Sequence, residues 1–154
     1  MIYDEISEKL NDLYECCCES FGMMVLELKV EALLNLVERL KDDFGFDLLL
    51  DVTAVDYPDR EQRFDLVYHL YSSRHNVRIR LKSTVGEGGQ QAPTLTQWYG
   101  SAAYLEREVH EMYGVRFEGN GDLRPILLYE GFEGHPLRKD YPIDREQPLV
   151  DYRK

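Results

Sequence analysis

The sequence predicts an α+β fold: a two-layer sandwich in which helices pack on a mixed or antiparallel sheet, followed by an extended C-terminal arm. Segments with helical spacing of apolar residues alternate with segments of strand character, in the order helix, strand, helix, three strands, helix. A chain of 154 residues is long enough for one domain with a substantial core. We place that domain at residues 1–118 and the arm at residues 119–154.

Three segments have the periodicity of amphipathic helices. Residues 3–18 and residues 30–45 each place their apolar side chains on one face, and Gly45 is suited to end the second helix. Residues 101–113 form the third helix, which Gly114 would end in a left-handed conformation. Each helix therefore has one apolar face with which to cover a sheet.

Four segments have strand character: residues 23–30, 46–58, 63–72 and 76–85. In the last two, apolar and polar side chains alternate, as expected of strands with one buried face. Only a short Ser-Ser-Arg-His-Asn connection separates them. This spacing predicts an antiparallel hairpin.

Charge and composition exclude several classes of partner. The net charge is 18 − 29 = −11, and residues 1–47 alone hold 12 acids against 4 bases. Nucleic acids and anionic lipids both require a basic footprint, so we expect neither as a direct partner. No apolar run approaches the length of a membrane span, and the first residues lack the pattern of a signal peptide. Cytoplasmic residence is the resulting expectation.

The three cysteines are consecutive, at positions 16–18. On the predicted first helix they would point about 100° apart and could not hold one metal ion together. An iron–sulfur cluster usually requires four thiolates, and this sequence has three cysteines. We interpret them as reduced thiols on a helix, two of them partly buried.

The segment Leu-Glu-Arg-Glu-Val-His-Glu-Met-Tyr-Gly, residues 105–114, is dense in ionisable groups. On a helix, Glu106 and Glu108 flank the apolar stripe on opposite sides, and Arg107 can pair with Glu111 on the outer face. A carboxylate beside an apolar stripe is costly unless it meets donors. Two interpretations remain. The one we favour is a packing helix whose apolar stripe is framed by charges. In the other, the carboxylates bind the arm or a partner, with backbone amides of the arm or arginines such as Arg124 and Arg138 as donors.

Catalytic and metal patterns are incomplete. The His-Glu-Met-Tyr-Gly sequence begins like a zinc-protease motif, but Gly114 replaces the second histidine. Glu106 and His110 could supply two metal ligands, and no nearby residue completes the set. Asp51 and Asp56 are expected to be solvated side chains near a strand end. A free-standing enzyme that uses Glu106, Glu108 or His110 remains a remote alternative.

The C-terminal 36 residues contain four glycines and four prolines, yet also ten large apolar side chains. This apolar content is too high for a solvated disordered tail. A structureless segment of this length is unusual in a compact domain unless it is functional. Three alternatives remain: a partner protein receives the arm, which we favour; the arm wraps its own domain; or it is disordered.

Two motifs carry a resemblance to a known family. Residues 104–119 read YLEREVHEMYGVRFEG, and residues 122–142 read DLRPILLYEGFEGHPLRKDYP. Together with the middle strands, they resemble the thirty-kilodalton hydrophilic subunit family of respiratory complex I, the proton-pumping NADH–quinone oxidoreductase. Related chains also occur in energy-converting hydrogenases and formate hydrogenlyases, so an equivalent component of such a complex is the alternative.

The resemblance implies a two-layer α+β domain whose arm lies against the neighbouring forty-nine-kilodalton subunit, close to iron–sulfur subunits. It implies a peripheral position on the cytoplasmic side of the inner membrane, without a membrane span. It also implies that the chain binds no cofactor, while the whole complex uses FMN, iron–sulfur clusters, NADH and quinone. The isolated chain would be colourless and inactive, and its arm would resist proteases only together with its partner.

The resemblance also assigns roles to individual residues by motif matching. Those that would contact the partner or anchor the arm are Glu106, Arg107, Glu108, Arg124, Arg138, Lys139 and Asp140.

Overall fold

The computed structural model describes residues 2–88 and 91–148. Within these ranges the helices are α1 (Ile2–Lys9), a short 3-10 turn (Val30–Ala32), α2 (Leu33–Asp42) and α3 (Ala102–Tyr113). The strands are β1 (Cys16–Ser20), β2 (Met23–Glu27), β3 (Leu48–Asp56), β4 (Phe64–Ser72), β5 (Val77–Val85), β6 (Ala92–Pro93) and β7 (Phe117–Glu118).

The main sheet has five strands in the order β1-β2-β5-β4-β3. Strands β2 and β5 run parallel, and the other neighbouring pairs are antiparallel. Strands β6 and β7 form a separate parallel pair. The sheet is therefore mixed, and the predicted α+β class is confirmed.

The core lies between the helices and one face of this sheet. Alternate side chains of the central strands are buried on that face, among them Leu66, Tyr68, Leu70, Ile79 and Leu81. Helix α2 buries Leu33, Leu36, Val37 and Leu40 in the same core. The opposite face remains open, with Asp51, Val55, Arg78 and Thr84 exposed.

The predicted first helix over residues 3–18 is wrong in its second half. Helix α1 ends at Lys9, and the three cysteines lie in strand β1, where all three are exposed. Cysteine is a weak helix former, and all five residues of strand β1 pair with β2 in an antiparallel ladder. The hairpin turns at Phe21 and Gly22, both with positive φ. Tertiary pairing therefore overrides the local apolar spacing.

The other predicted elements are confirmed, including the hairpin of β4 and β5 and the left-handed Gly114 after α3, with φ 78°. None of the helices in the described ranges combines the length and apolarity that a membrane span requires.

Candidate functional site

The C-terminal arm, residues 119–148 as far as the structure describes it, folds back on the end of α3. The last carbonyl groups of a helix have no partner within the helix. Here the carbonyls of residues 111–113 accept, in order, from His135 Nδ1, Leu137 N and Arg138 Nε, at 2.8, 3.2 and 2.5 Å. The arm therefore completes the hydrogen bonding of the helix.

Glu111 fixes an earlier part of the arm. Its Oε1 atom accepts from the amides of Ile126 and Leu128 at 3.2 and 2.8 Å, and its Oε2 atom accepts from Leu127 at 2.9 Å. The side chain is buried. Three charge-assisted hydrogen bonds offset the cost of burying this carboxylate.

Gly114 lies at the point where the arm passes closest to the helix. Its φ of 78° favours glycine, and a Cβ atom there would lie 2.5 Å from Arg138 Nη2 and 2.6 Å from His135 Nε2. Glycine is therefore required here both for the left-handed cap and for the space that the arm occupies.

Glu106 anchors the beginning of the arm from within the core. Its side chain is fully buried and accepts from Leu95 N at 2.8 Å, Thr94 Oγ1 at 2.7 Å and Asn120 Nδ2 at 2.8 Å. Burial raises the pKa of Glu106, and the three hydrogen bonds oppose that rise. The expectation that Glu106 needs donors is confirmed, but the donors are neither backbone amides of the arm nor arginines.

Arg107 also binds the arm. Its Nε atom donates to the carbonyl of Arg124 and its Nη2 atom to that of Pro125, both at 2.9 Å. The predicted pairing of Arg107 with Glu111 on an outer face is therefore wrong. Both side chains point to a side of α3 that the arm covers.

Two predicted residues take other positions. Glu108 is exposed, and Arg124 forms an ion pair with its neighbour Asp122 at 2.8 Å. Arg124 therefore does not serve as the expected donor to Glu106 or Glu108. Only its main-chain carbonyl takes part in fixing the arm.

A buried ion pair lies where β3 ends and β4 begins. Arg63 donates from Nε and Nη2 to the two oxygens of Asp56, at 2.7 and 3.0 Å, in a bidentate arrangement. The Arg63 guanidinium holds the pKa of Asp56 below its usual range. Asp56 is 3% exposed, so the expectation of a solvated carboxylate there is wrong.

The Arg-Lys-Asp segment of the arm binds to this ion pair. Asp140 lies 2.9 Å from Arg63 Nη2, and the amide of Lys139 donates to Asp56 at 2.7 Å. Arg138 Nη1 lies 2.8 Å from Glu87, which also lies 2.8 Å from Arg63. We call Asp56, Arg63, Glu87, Arg138 and Asp140 the charge cluster.

The arm exposes large apolar side chains among its exposed charged ones. Four large side chains there are exposed, although the arm is otherwise well anchored: Ile126 at 40%, Leu127 at 63%, Leu137 at 52% and Ile143 at 104%. On the inner side, Tyr129, Phe132 and Tyr141 pack against one another. The arm is thus anchored to its own domain by polar contacts, and it still presents several large apolar side chains to solvent.

Sequence reasoning missed Glu111, Asp56 and Arg63 as anchors. The helical spacing predicted on which side of α3 Glu111 lies, but not that the arm covers this side. For Asp56 and Arg63 a local signal existed, because an acid and a base flank the connection between two predicted strands. The position of the arm is needed to identify Asp56 and Arg63 as its anchors.

The buried carboxylates of this region bind protein donors. Within residues 2–88 and 91–148 no group of three or more His, Cys, Asp or Glu side chains could hold a metal ion. His110 Nδ1 lies 2.8 Å from the carbonyl of Val115. The buried carboxylates Asp56, Glu106 and Glu111 are each committed to several donors. In this structure all three carboxylates bind the C-terminal arm.

Known sequences are similar to this chain. A sequence model of the family described as "Respiratory-chain NADH dehydrogenase, 30 Kd subunit" matches residues 26–147. The corresponding NADH-quinone oxidoreductase subunit of Sinorhizobium medicae is 44% identical over 151 residues, covering 90% of this chain and 75% of that protein. Its counterpart in Paramagnetospirillum magneticum is 49% identical over 124 residues, covering 79% and 62%.

Two solved structures agree with this match. A trypsin-resistant fragment of Nqo5 superposes with a TM-score of 0.71 at 31% identity, over 80% of this chain and 100% of that one. A chain of the membrane-bound sulfane sulfur reductase, an archaeal respiratory membrane complex, gives 0.80 at 27% identity, over 92% and 84%. The chain belongs to the thirty-kilodalton subunit family of the respiratory-chain NADH dehydrogenase, complex I.

Proposed function

We propose that this chain is a structural subunit of a membrane-bound, proton-translocating NADH–quinone oxidoreductase, with no cofactor and no catalytic residue of its own. Its arm contacts the homologue of the forty-nine-kilodalton subunit and helps join the NADH-oxidising arm of the complex to the quinone site and the membrane part. Neighbouring iron–sulfur subunits complete its surroundings on the cytoplasmic side of the membrane. FMN, iron–sulfur clusters, NADH and quinone are held by other chains.

One observation carries this proposal: the arm is bound to its own domain and still exposes large apolar side chains. Several polar groups of the arm are bound to their own domain, whereas the side chains of Leu127, Leu137 and Ile143 are exposed to solvent. Fully burying one such side chain contributes about 1.5–3 kcal/mol. An arm already held in place loses less conformational freedom on binding, which favours a tight contact.

The test is a double substitution on the outer side of the arm, Leu127→Asp with Ile143→Asp, in the chain expressed in its own cells. We expect the amount of assembled complex on native gels to fall about tenfold, because each charge would lose water in an apolar contact. NADH–quinone turnover per assembled complex should stay unchanged. Glu130→Ala, at an exposed polar position of the same arm, is the control and should assemble normally. Normal amounts of a slower complex would contradict the proposal.

A second candidate is the equivalent component of a related membrane complex of the hydrogenase or formate hydrogenlyase type. The fit to a chain of an archaeal sulfane sulfur reductase supports a place in a membrane complex other than an NADH–quinone oxidoreductase. Affinity purification from the cell's own membranes separates the two. Flavin and iron–sulfur subunits with a homologue of the forty-nine-kilodalton subunit support the first, and a nickel-site hydrogenase subunit supports the second. A chain recovered alone would reopen the possibility of a free-standing enzyme.

A further inference from the structure

The open face of the main sheet contains a second apolar region, far from the arm. It is a groove of about 580 Å³, which we call the sheet-end groove. Its principal lining residues are Phe21, Met23, Leu48, Leu50, Tyr71 and Arg78. These side chains lie where β2 and β5 begin, β4 ends and β3 begins.

The register of the sheet aligns these residues in a row. Leu48 is opposite Tyr71, and Tyr71 is opposite Arg78. Met23 lies beside Arg78, because the next residues, Met24 and Ile79, are paired. Four neighbouring strands at about 4.8 Å spacing make this row about 14 Å long, which is enough for four or five residues of an extended chain.

Phe21 adopts a backbone conformation that is energetically unfavourable for a residue with a side chain. It adopts a φ of 53° at the tip of the β1–β2 hairpin, next to Gly22 with φ 74°. A left-handed conformation costs a residue with a side chain about 1–2 kcal/mol, and such turns favour asparagine or glycine. The ring is also 103% exposed. Contacts with the part of the chain that the structure describes do not cover this side chain, whereas a partner would.

The charges in the groove indicate the character of that partner. Within residues 2–88 and 91–148, the guanidinium groups of Arg78 and Arg80 have no carboxylate at ion-pair distance, and Arg80 donates instead to His69 at 2.9 Å. The third base of this strand, Lys82, lies 3.5 Å from Glu27. Arg78 and Arg80 therefore bring two positive charges to this face without an acidic partner among the described residues, in a chain of net charge −11.

We propose that the sheet-end groove binds a short segment of another polypeptide that carries a carboxylate beside aliphatic or aromatic side chains. Arg78 receives the carboxylate, and Phe21, Leu48 and Leu50 enclose the apolar side chains. Arginine and aromatic residues dominate the energy of such contacts, and the charge pairing sets their selectivity.

The groove and the charge cluster lie at opposite ends of the same strands. Leu48 begins β3 and Asp56 ends it, while Tyr71 is near the end of β4 and Phe64 begins it. Eight steps of about 3.4 Å separate the ends by about 27 Å. The chain would therefore hold two partners apart at a fixed distance, one at the arm and one at the groove. This goes beyond the proposed contact of the arm with the forty-nine-kilodalton subunit.

The test places the photo-crosslinking residue p-benzoylphenylalanine at position 48 of the full chain, assembled in its own membranes. Position 84 is the control, because Thr84 is exposed on the same face at the other end of β5. We expect position 48 to crosslink to one defined segment of another polypeptide, with an Asp or Glu within about four residues of the attachment. Position 84 should give no such product.

A charge reversal then tests the role of Arg78. With Arg78→Glu the yield of the crosslink should fall about tenfold, and with Arg78→Lys it should fall far less. A product with a second copy of this chain, with lipid or with a segment lacking acidic residues would overturn the proposal. So would no product, or a yield that Arg78→Glu leaves unchanged. The proposed function is tested by assembly of the complex with Leu127→Asp and Ile143→Asp, which does not depend on the groove. Each proposal can therefore fail while the other stands.

Discussion

At the scale of single residues, buried charge is concentrated in a few fully bonded side chains. Asp56 combines a bidentate pair with Arg63 and a hydrogen bond from the Lys139 amide. Such a group stabilises the fold only while all its partners are present, because removal of one member leaves a buried charge without compensation. Asp56 therefore stabilises both the strand connection and the arm.

We expect Asp56→Asn to lower the free energy of unfolding by about 3 kcal/mol at neutral pH. The pKa of Asp56 is lowered in the folded protein, so its stabilising effect is complete above the unfolded pKa of about 4. The effect is lost as the pH falls through the folded pKa. The difference between the two proteins should therefore shrink below about pH 4, as measured by urea unfolding.

Asp51→Asn is the matched control for this change, because Asp51 lies on the same strand but is exposed. It should alter the free energy of unfolding by no more than about 0.5 kcal/mol. Equal effects at the two positions would contradict the buried ion pair, as would a difference for Asp56→Asn that is constant down to low pH.

At the scale of elements, local patterns predicted the central strands but not β1. Strands β4 and β5 alternate buried and part-exposed side chains, so their identity can be read from neighbouring residues. All five residues of β1 are exposed or nearly so, which leaves no alternation to detect. Its strand conformation depends on β2, with which it pairs, and only the three-dimensional structure shows that pairing.

Helix α3 was predicted with the correct end but an incomplete set of contacts. Its apolar stripe correctly indicated the side that faces the sheet, and Glu106 was correctly expected to need donors. Arg107 and Glu111 lie about 200° and 240° around the helix from Leu105, outside that stripe. They bind mainly backbone atoms of the arm. Side-chain periodicity gives no sign of a surface covered by backbone.

Gly114→Ala tests the junction of helix and arm. We expect a loss of about 1–2 kcal/mol from the left-handed conformation alone, and a further loss because the new Cβ displaces Arg138 and His135. Hydrogen exchange at the Leu137 amide, which donates to Met112, should speed up by about tenfold or more.

Gly22→Ala provides the control for the backbone cost. Gly22 has a similar φ of 74°, but a Cβ there meets nothing within 4 Å. In this variant the free energy of unfolding should fall only by the cost of the left-handed conformation. Hydrogen exchange at the Leu137 amide should stay unchanged. Equal protection of Leu137 in both variants would mean that the arm does not rest on Gly114.

At the scale of the whole molecule, the position of the arm changes the expected behaviour of the isolated chain. The sequence and its family resemblance predict an arm that is protected only by a partner. The contacts of Glu111, Arg138 and Asp140 instead bind the arm to its own domain up to about residue 141. The last six residues, 149–154, lie outside the described part of the chain.

Trypsin digestion of the isolated, full-length chain distinguishes the two expectations. Arg138 is held by Tyr113 and Glu87 with its side chain 18% exposed. The Arg145 side chain is 40% exposed, and it contacts the exposed Glu133 and the ring of Tyr141, both within the arm. The bond after Arg145 should therefore be cut about tenfold faster than the bond after Arg138, since cleavage requires local opening. Mass spectrometry of the early fragments measures both rates.

Gly114→Ala supplies the comparison within the same experiment. If the arm is bound to its own domain, this variant should raise the rate of cleavage after Arg138 towards that after Arg145, while Gly22→Ala should leave the ratio as it is. Equal rates at the two bonds in the unaltered chain would mean that the arm becomes ordered only when a partner binds. A protected arm would instead show that its apolar outer side is presented in place before assembly, which lowers the entropic cost of binding the next subunit.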